Sequence, residues 1–124
     1  MRQILVIDDD ELFVSSLNLA LARSSEVALE TTTEPAEGLK WIISGRKFDA
    51  IICDQSMPKM SGFEFFNRLR IEAPDQAKRV LFISGAAPTK EVKELIASSA
   101  VHWLDKPFAN KDLVAKLQQI IALE

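Results

Sequence analysis

Carboxylates that follow buried strands are the residues of this sequence best suited to chemistry. Three aspartates occupy positions 8–10, after the apolar run at 4–7, and Asp54 follows the apolar run at 50–53. Several carboxylates in one place repel one another, and one pKa rises unless a cation neutralises them. A cluster of hard oxygen ligands without histidine suits Mg²⁺. These positions therefore predict a magnesium site if the two strand ends meet.

Two further strand ends carry groups that can bind phosphate. Ser84 ends the apolar run at 80–83, and Lys106 lies just beyond the weaker strand around Trp103. A carboxylate can act as a nucleophile toward phosphorus and form an acyl phosphate. Phosphoryl transfer mainly requires positioning and neutralisation of the equatorial oxygens. A metal ion, an ammonium group and a hydroxyl group supply both requirements.

The strands that must position these groups are of two kinds. The apolar runs at 4–7, 50–53 and 80–83 are continuous, which predicts strands buried on both faces. Apolar residues alternate with others at 27–31 and 101–103. Alternation indicates edge strands that have one covered face.

Five helical patterns separate the strands. Their predicted buried faces carry Phe13, Leu17 and Ala20; Leu39, Ile42 and Ile43; Phe65, Phe66 and Leu69; Val92, Leu95 and Ile96; and Leu113, Leu117, Ile120 and Ile121. Asp10 is predicted to cap the first helix, and Pro35 suits the first turn of the second. The third helix should end before Pro74, and Asn110 is the predicted cap of the fifth.

Strict alternation of strands and helices predicts an α/β fold with a doubly wound parallel sheet and helices on both faces. Three central and two edge strands select the order 2-1-3-4-5, the flavodoxin-like arrangement. Ligands of such sheets bind beyond the carboxyl ends of the strands, where the order reverses between strands one and three. These are the strands that carry the aspartates.

Composition excludes several other classes of protein. The 124 residues predict one domain, and a net charge of −3 argues against nucleic acid as the main partner. The single cysteine cannot form an internal disulfide, and no signal peptide or membrane span is evident. We therefore expect a cytoplasmic, soluble protein. Arg68, Arg70, Lys78 and Arg79 are predicted to form a solvated face.

Four motifs in this order resemble the receiver domain of two-component response regulators, of the chemotaxis-regulator kind. They are ILVIDDDE near the start, DQSMPKMSG at 54–62, FISGA at 82–86 and KPF at 106–108. The resemblance covers the whole chain and implies one receiver domain at 1–124. It implies a signalling protein that catalyses only its own phosphorylation and dephosphorylation.

The resemblance also implies a role for each site residue. Asp54 would accept the phosphoryl group from a histidine kinase or a histidine phosphotransfer protein. Asp8 and Asp9 would form the acidic pocket for Mg²⁺, with Asp9 a direct ligand. Asp54 and the backbone carbonyl of Ser56 would complete the protein ligands. Lys106, before a proline bond that is usually cis, would pair with the phosphoryl group.

The switch implied by the resemblance contains one departure from the family. Ser84 would bond the phosphoryl oxygen, and an aromatic residue three places before the lysine would change rotamer with it. Trp103 stands where the family has Tyr, Phe or His, so a static edge-strand residue and a moving switch both remain open. Ser99 also departs from the family, which often has glycine there.

Output and alternative functions stay open at the level of sequence. The resemblance implies an output face on the fourth helix, fifth strand and fifth helix, which would engage an effector domain, an output protein or a second copy. A haloacid-dehalogenase-like phosphohydrolase with Asp8 as nucleophile is one alternative, although Leu12 breaks its motif and a cap domain has no room. A receiver-like scaffold that accepts no phosphate is the other.

Overall fold

A computed structural model describes residues 2–21 and 26–123 of the chain. Within these residues five strands and six helices follow one another. They are β1 (Arg2–Ile7), α1 (Glu11–Leu21), β2 (Val27–Thr32), α2 (Pro35–Ile43), β3 (Ala50–Asp54), α3 (Gly62–Glu72), α4 (Pro74–Ala77), β4 (Val80–Ser84), α5 (Lys90–Ala97), β5 (His102–Asp105) and α6 (Asn110–Ile121).

The strands form one parallel sheet in the order β2-β1-β3-β4-β5, which confirms the predicted topology. Ile7 of β1 pairs with Cys53 of β3, and Cys53 pairs with Phe82 of β4. The carboxyl ends of the three central strands therefore lie side by side at one edge of the sheet. The residues that follow these strands are brought together there.

Each face of the sheet has its own hydrophobic core. Helices α2, α3 and α5 pack on one face, and α1 and α6 pack on the other. Cys53 is completely buried in the first core, where burial, with Asp54 and Asp8 nearby, raises the pKa of its thiol. The prediction for Ile43 is wrong, because its side chain is 50% exposed at the end of α2.

The helix ends confirm some of the predicted caps and contradict one. A carboxylate oxygen of Asp10 accepts hydrogen bonds from the amides of Leu12 and Phe13, at 3.0 and 3.2 Å, so Asp10 caps α1. Pro35 is the first residue of α2, as predicted. The predicted cap Asn110 lies inside α6 instead, because Ala109 adopts the extended backbone of the N-cap position.

Two features around α4 and α6 were not predicted. Helix α3 ends at Glu72, before Pro74 as predicted, but Pro74 also begins the four-residue helix α4. Arg79 follows α4, and the prediction that it belongs to a solvated face is wrong. Its guanidinium donates hydrogen bonds to the carbonyl oxygens of Asp49, Ile120 and Leu123, at 3.1, 3.2 and 2.6 Å. Arg79 thereby ties the C-terminal end of α6 to the sheet.

The turn after α5 places a serine in an unfavourable backbone region. Ser99 has a φ of 61°, the left-handed conformation that favours glycine. Its amide donates to the carbonyl oxygen of Ile96 at 3.0 Å, and the next amide, of Ala100, donates to Leu95 at 2.9 Å. These bonds end α5 in the manner of a left-handed cap.

Among the helices of the described residues, none combines the length and apolar character that crossing a membrane requires.

Candidate functional site

Three carboxylates meet at the carboxyl edge of the sheet. One oxygen each from Asp8, Asp9 and Asp54 lies within 4.8 Å of the others. Asp8 is completely buried, Asp54 is 7% exposed and Asp9 is exposed to solvent. The structure therefore brings together the acids that follow β1 and end β3, and it leaves one of them open to an incoming ion.

The buried carboxylate of Asp8 has a partner for each oxygen. Oδ1 accepts a hydrogen bond from the amide of Asp10 at 2.9 Å, and Oδ2 lies 3.2 Å from Nζ of Lys106. A buried charge is stable only when it is paired and hydrogen-bonded. Lys106 is 98 positions away in sequence, so this pair joins the end of β1 to the loop after β5.

Asp54 combines burial with both kinds of charge. Burial raises the pKa of its carboxyl group most strongly, and the carboxylates of Asp8 and Asp9 raise it further. The amide of Ser56, which donates to Oδ1 at 3.2 Å, lowers that pKa, and Lys106 lowers it as well. The carboxylate of Asp54 is therefore a poorly compensated charge near one ammonium group.

Lys106 is held at both its backbone and its side chain. Its amide donates to the carbonyl oxygen of Ser84 at 2.8 Å, and its peptide bond to Pro107 is cis. Its Nζ lies 4.1 Å from the centre of the Phe13 ring, and the lysine side chain is 24% exposed. Phe13 was expected only on the buried face of its helix, so sequence reasoning missed this contact.

Ser84 and Trp103, the predicted switch residues, lie on neighbouring strands. Ser84 is buried, and its hydroxyl accepts a hydrogen bond from the amide of Ala86 at 3.1 Å. The partly buried indole of Trp103 packs edge-on against Phe82, with ring centres 6.4 Å apart. Its Nε1 donates to Oδ1 of Asp105 at 2.9 Å. The indole N–H, which needs a partner when it is removed from water, is thus satisfied.

Gly62 fixes the shape of the loop between Asp54 and α3. Its amide donates to the carbonyl oxygen of Gln55 at 3.1 Å. A Cβ atom at Gly62 would lie 3.0 Å from the Asp54 carbonyl oxygen and 3.0 Å from the Gln55 Cα. The close approach of two backbone segments therefore requires glycine at this position, beside the candidate nucleophile.

The chemistry of the donors fits a divalent cation. The site offers carboxylate oxygens from three aspartates, and Lys106 contributes one positive charge beside them. Three carboxylates and one ammonium leave two negative charges, which one divalent ion neutralises. Carboxylate oxygens are ligands that Mg²⁺ prefers, and Mg²⁺ needs only one or two from the protein.

Comparison with known proteins gives one consistent result. Residues 4–118 match the family model described as the response regulator receiver domain. Transcriptional regulatory protein QseB from Haemophilus influenzae is 29% identical over 96% of this chain and 52% of that protein. Response regulator MprA from Mycobacterium ulcerans is 29% identical over 96% of this chain and 50% of that protein. The chain thus spans about half the length of these curated relatives.

Solved structures show the same fold. A response regulator receiver domain protein from Clostridium thermocellum superposes with a TM-score of 0.84 at 24% identity, over 98% of this chain and 94% of that one. Chemotaxis protein CheY4 from Vibrio cholerae gives a TM-score of 0.81 at 28% identity, over 97% of this chain and 98% of that one.

Proposed function

Because the chain belongs to the response regulator receiver domain family, we propose that Asp54 accepts a phosphoryl group from the phosphohistidine of a partner. The donor is a histidine kinase or a histidine phosphotransfer protein. The observation that carries this assignment is the meeting of Asp8, Asp9 and Asp54 within 4.8 Å, with Lys106 paired to one of them.

The transfer exchanges one bond to phosphorus for another. An oxygen of Asp54 forms the new bond to phosphorus while the bond from phosphorus to the imidazole nitrogen breaks, and the imidazole keeps the electron pair. The nucleophile must be ionised, and Lys106 and the amide of Ser56 both favour the ionised form. Asp54 stands at the end of a fully buried strand, so its position is fixed before the donor arrives.

Mg²⁺ is the proposed cofactor, held by Asp8, Asp9, Asp54 and the backbone carbonyl of Ser56. When bound, it supplies positive charge to the carboxylates and to the phosphoryl oxygens. Lys106, which directly follows β5, supplies the second positive charge. Ser84, whose hydroxyl lies at the end of the neighbouring strand, donates to a phosphoryl oxygen in this proposal.

The response to phosphorylation is proposed to pass through Ser84 and Trp103. Movement of the Ser84 hydroxyl toward the phosphoryl group would break its bond to the amide of Ala86. Trp103 lies on the adjacent strand and contacts Phe82 of β4, so its rotamer can follow. The output face is formed by α5, β5 and α6, and it would bind an effector domain, an output protein or a second copy in a phosphorylation-dependent manner.

The competing functions have less support. Asp8 is a poor nucleophile because it is completely buried and both of its oxygens are engaged, which disfavours the dehalogenase-like hydrolase. A scaffold that accepts no phosphate would not need the complete group of acids and lysine. The expectation that nucleic acid is no partner also lacks support, because the relative QseB is a transcriptional regulatory protein and is about twice as long.

The test uses beryllofluoride and acetyl phosphate, with Mg²⁺ and with EDTA. With Mg²⁺, we expect acetyl phosphate to give an adduct whose mass shift maps to Asp54. We also expect beryllofluoride to change the tryptophan fluorescence, an effect that Trp103→Phe removes and Trp41→Phe keeps. Asp54→Asn should abolish the adduct, whereas the exposed control Asp75→Asn should form it normally. Wild-type protein that forms no adduct, or an adduct that persists in Asp54→Asn, would contradict the assignment.

A further inference from the structure

The ammonium group of Lys106 lies between an aromatic ring and a carboxylate. Nζ is 4.1 Å from the centre of the Phe13 ring and 3.2 Å from Oδ2 of Asp8. An ammonium over a ring face within about 6 Å is attracted by the negative charge of that face. Two different attractions therefore hold one group, although rotation about the four bonds of the lysine side chain could move it into solvent.

The Phe13 ring is itself held in place. Its backbone amide donates to the capping carboxylate of Asp10 at 3.2 Å, which fixes the first turn of α1. Phe108 packs against its ring with centres 5.9 Å apart and planes at 85°, a favourable edge-to-face arrangement. Phe13 is thus a packed surface at the edge of the site, and the ammonium contacts both this ring and the carboxylate of Asp8.

We propose that Phe13 is a positioning residue, which holds Lys106 over its ring face so that the ammonium is already within the acidic cluster that contains Asp54 when a phosphoryl group arrives. This role rests on the proposed function of Asp54. The ammonium of Lys106 is paired with Asp8 at 3.2 Å, and an oxygen of Asp8 lies within 4.8 Å of one of Asp54. Without the ring, the ammonium gains access to water where the ring now covers it and spends less time at the site.

A fluorinated series at position 13 tests the electrostatic part of this role. Phenylalanine is replaced by its 4-fluoro, 3,5-difluoro and 3,4,5-trifluoro derivatives, which keep the shape and progressively remove the negative charge of the ring face. We expect the affinity for beryllofluoride in saturating Mg²⁺ to fall stepwise, by about threefold to tenfold in total. The same series at Phe63, a partly buried ring in the core on the other face of the sheet, should leave the affinity unchanged.

Natural substitutions provide a second measurement. Phe13→Tyr keeps an aromatic face and should retain affinity within about twofold, whereas Phe13→Leu keeps an apolar side chain and should lose about threefold to tenfold. Thermal unfolding in the absence of Mg²⁺ identifies variants that have lost structure. An affinity that is flat or rises along the fluorinated series, in a wild-type background that binds beryllofluoride, would overturn the role of Phe13 alone. Wild-type protein that binds none would overturn the proposed function together with it.

Discussion

Replacement of Asp54 by asparagine should stabilise the metal-free fold. Burial and the carboxylates of Asp8 and Asp9 disfavour a charge at Asp54, and asparagine removes that charge. Its side-chain oxygen can still accept the hydrogen bond that the amide of Ser56 now donates at 3.2 Å. The variant therefore removes repulsion and preserves the local hydrogen bond.

The magnitude follows from the distances among the three acids. At 4.8 Å, the upper limit for the oxygens of this cluster, two like unit charges repel by about 3.5 kcal/mol at an effective dielectric constant of about 20, and by about 0.9 kcal/mol at that of water. Asp54 has two such neighbours, and Lys106 offsets roughly one of them. We therefore expect Asp54→Asn to raise the free energy of unfolding by about 1–3 kcal/mol. This corresponds to a rise in melting temperature of roughly 4–12 °C in a domain of this size.

Urea unfolding at pH 7.5 in EDTA measures this difference, with Asp75→Asn as the control. Asp75 is 98% exposed, so its replacement should change the free energy of unfolding by less than about 0.5 kcal/mol. Millimolar Mg²⁺ should remove most of the advantage of Asp54→Asn, because the ion stabilises only a folded protein that binds it.

The pH dependence has a defined sign. The pKa of Asp54 is raised in the folded protein, so the folded protein takes up the proton at a higher pH than the unfolded chain does. The wild type should regain stability as pH falls through that raised pKa toward the ordinary value, and the advantage of Asp54→Asn should shrink over the same interval. A variant less stable than the wild type at pH 7.5 in EDTA would refute the repulsion on which this reasoning depends.

Three further predictions concern residues that shape the fold around the site. Arg79→Met should lower the free energy of unfolding by about 2–3 kcal/mol, because it removes three charged hydrogen bonds that tie α6 to the sheet; urea unfolding will measure this loss. Gly62→Ala should cost about 1–3 kcal/mol, because its Cβ would lie 2.5 Å from the Gln55 side-chain oxygen and 3.0 Å from the Asp54 carbonyl oxygen. Labelling of this variant by acetyl phosphate should also be slower than that of the wild type. Ser99→Gly should raise stability by about 1 kcal/mol, since it relieves a φ of 61°; an unchanged or lower melting temperature would contradict that explanation.

Sheet order and the position of the site could be predicted because both depend on patterns that extend over several residues. Continuous apolar runs distinguish the central strands from the alternating edge strands, and the parallel arrangement then brings the strand ends to one edge.

The prediction of helices and their caps failed where the sequence pattern was short. Helix α4 contains four residues, too few to show a helical period, and Pro74 was interpreted only as the end of α3. At the start of α6, Ala109 and Asn110 are one position apart, and backbone conformation decides which of them is the cap.

Contacts of single side chains over long sequence distances could not be predicted. Phe13 lies on the buried face of α1, so helical period alone explains its residue type, and its contact with Lys106 depends on the packing of α1 beside α6. Arg79 appeared in a cluster of basic residues typical of a solvated face. Its three acceptors are backbone carbonyls, groups that every residue carries and that no sequence pattern marks.

The acidic cluster links stability to ion binding because one cause produces both. The carboxylates of Asp8, Asp9 and Asp54 repel one another in the folded protein, and the same concentration of negative charge attracts a divalent cation. An uncharged substitution at Asp9 or Asp54 should therefore raise the stability of the metal-free fold and weaken Mg²⁺ binding in the same variant. Asp9→Asn separates this linkage from a purely structural effect, because Asp9 is exposed and its removal leaves the Asp8–Lys106 pair intact. If Asp9→Asn weakened Mg²⁺ binding without stabilising the metal-free protein, repulsion within the cluster would be too weak to account for the affinity.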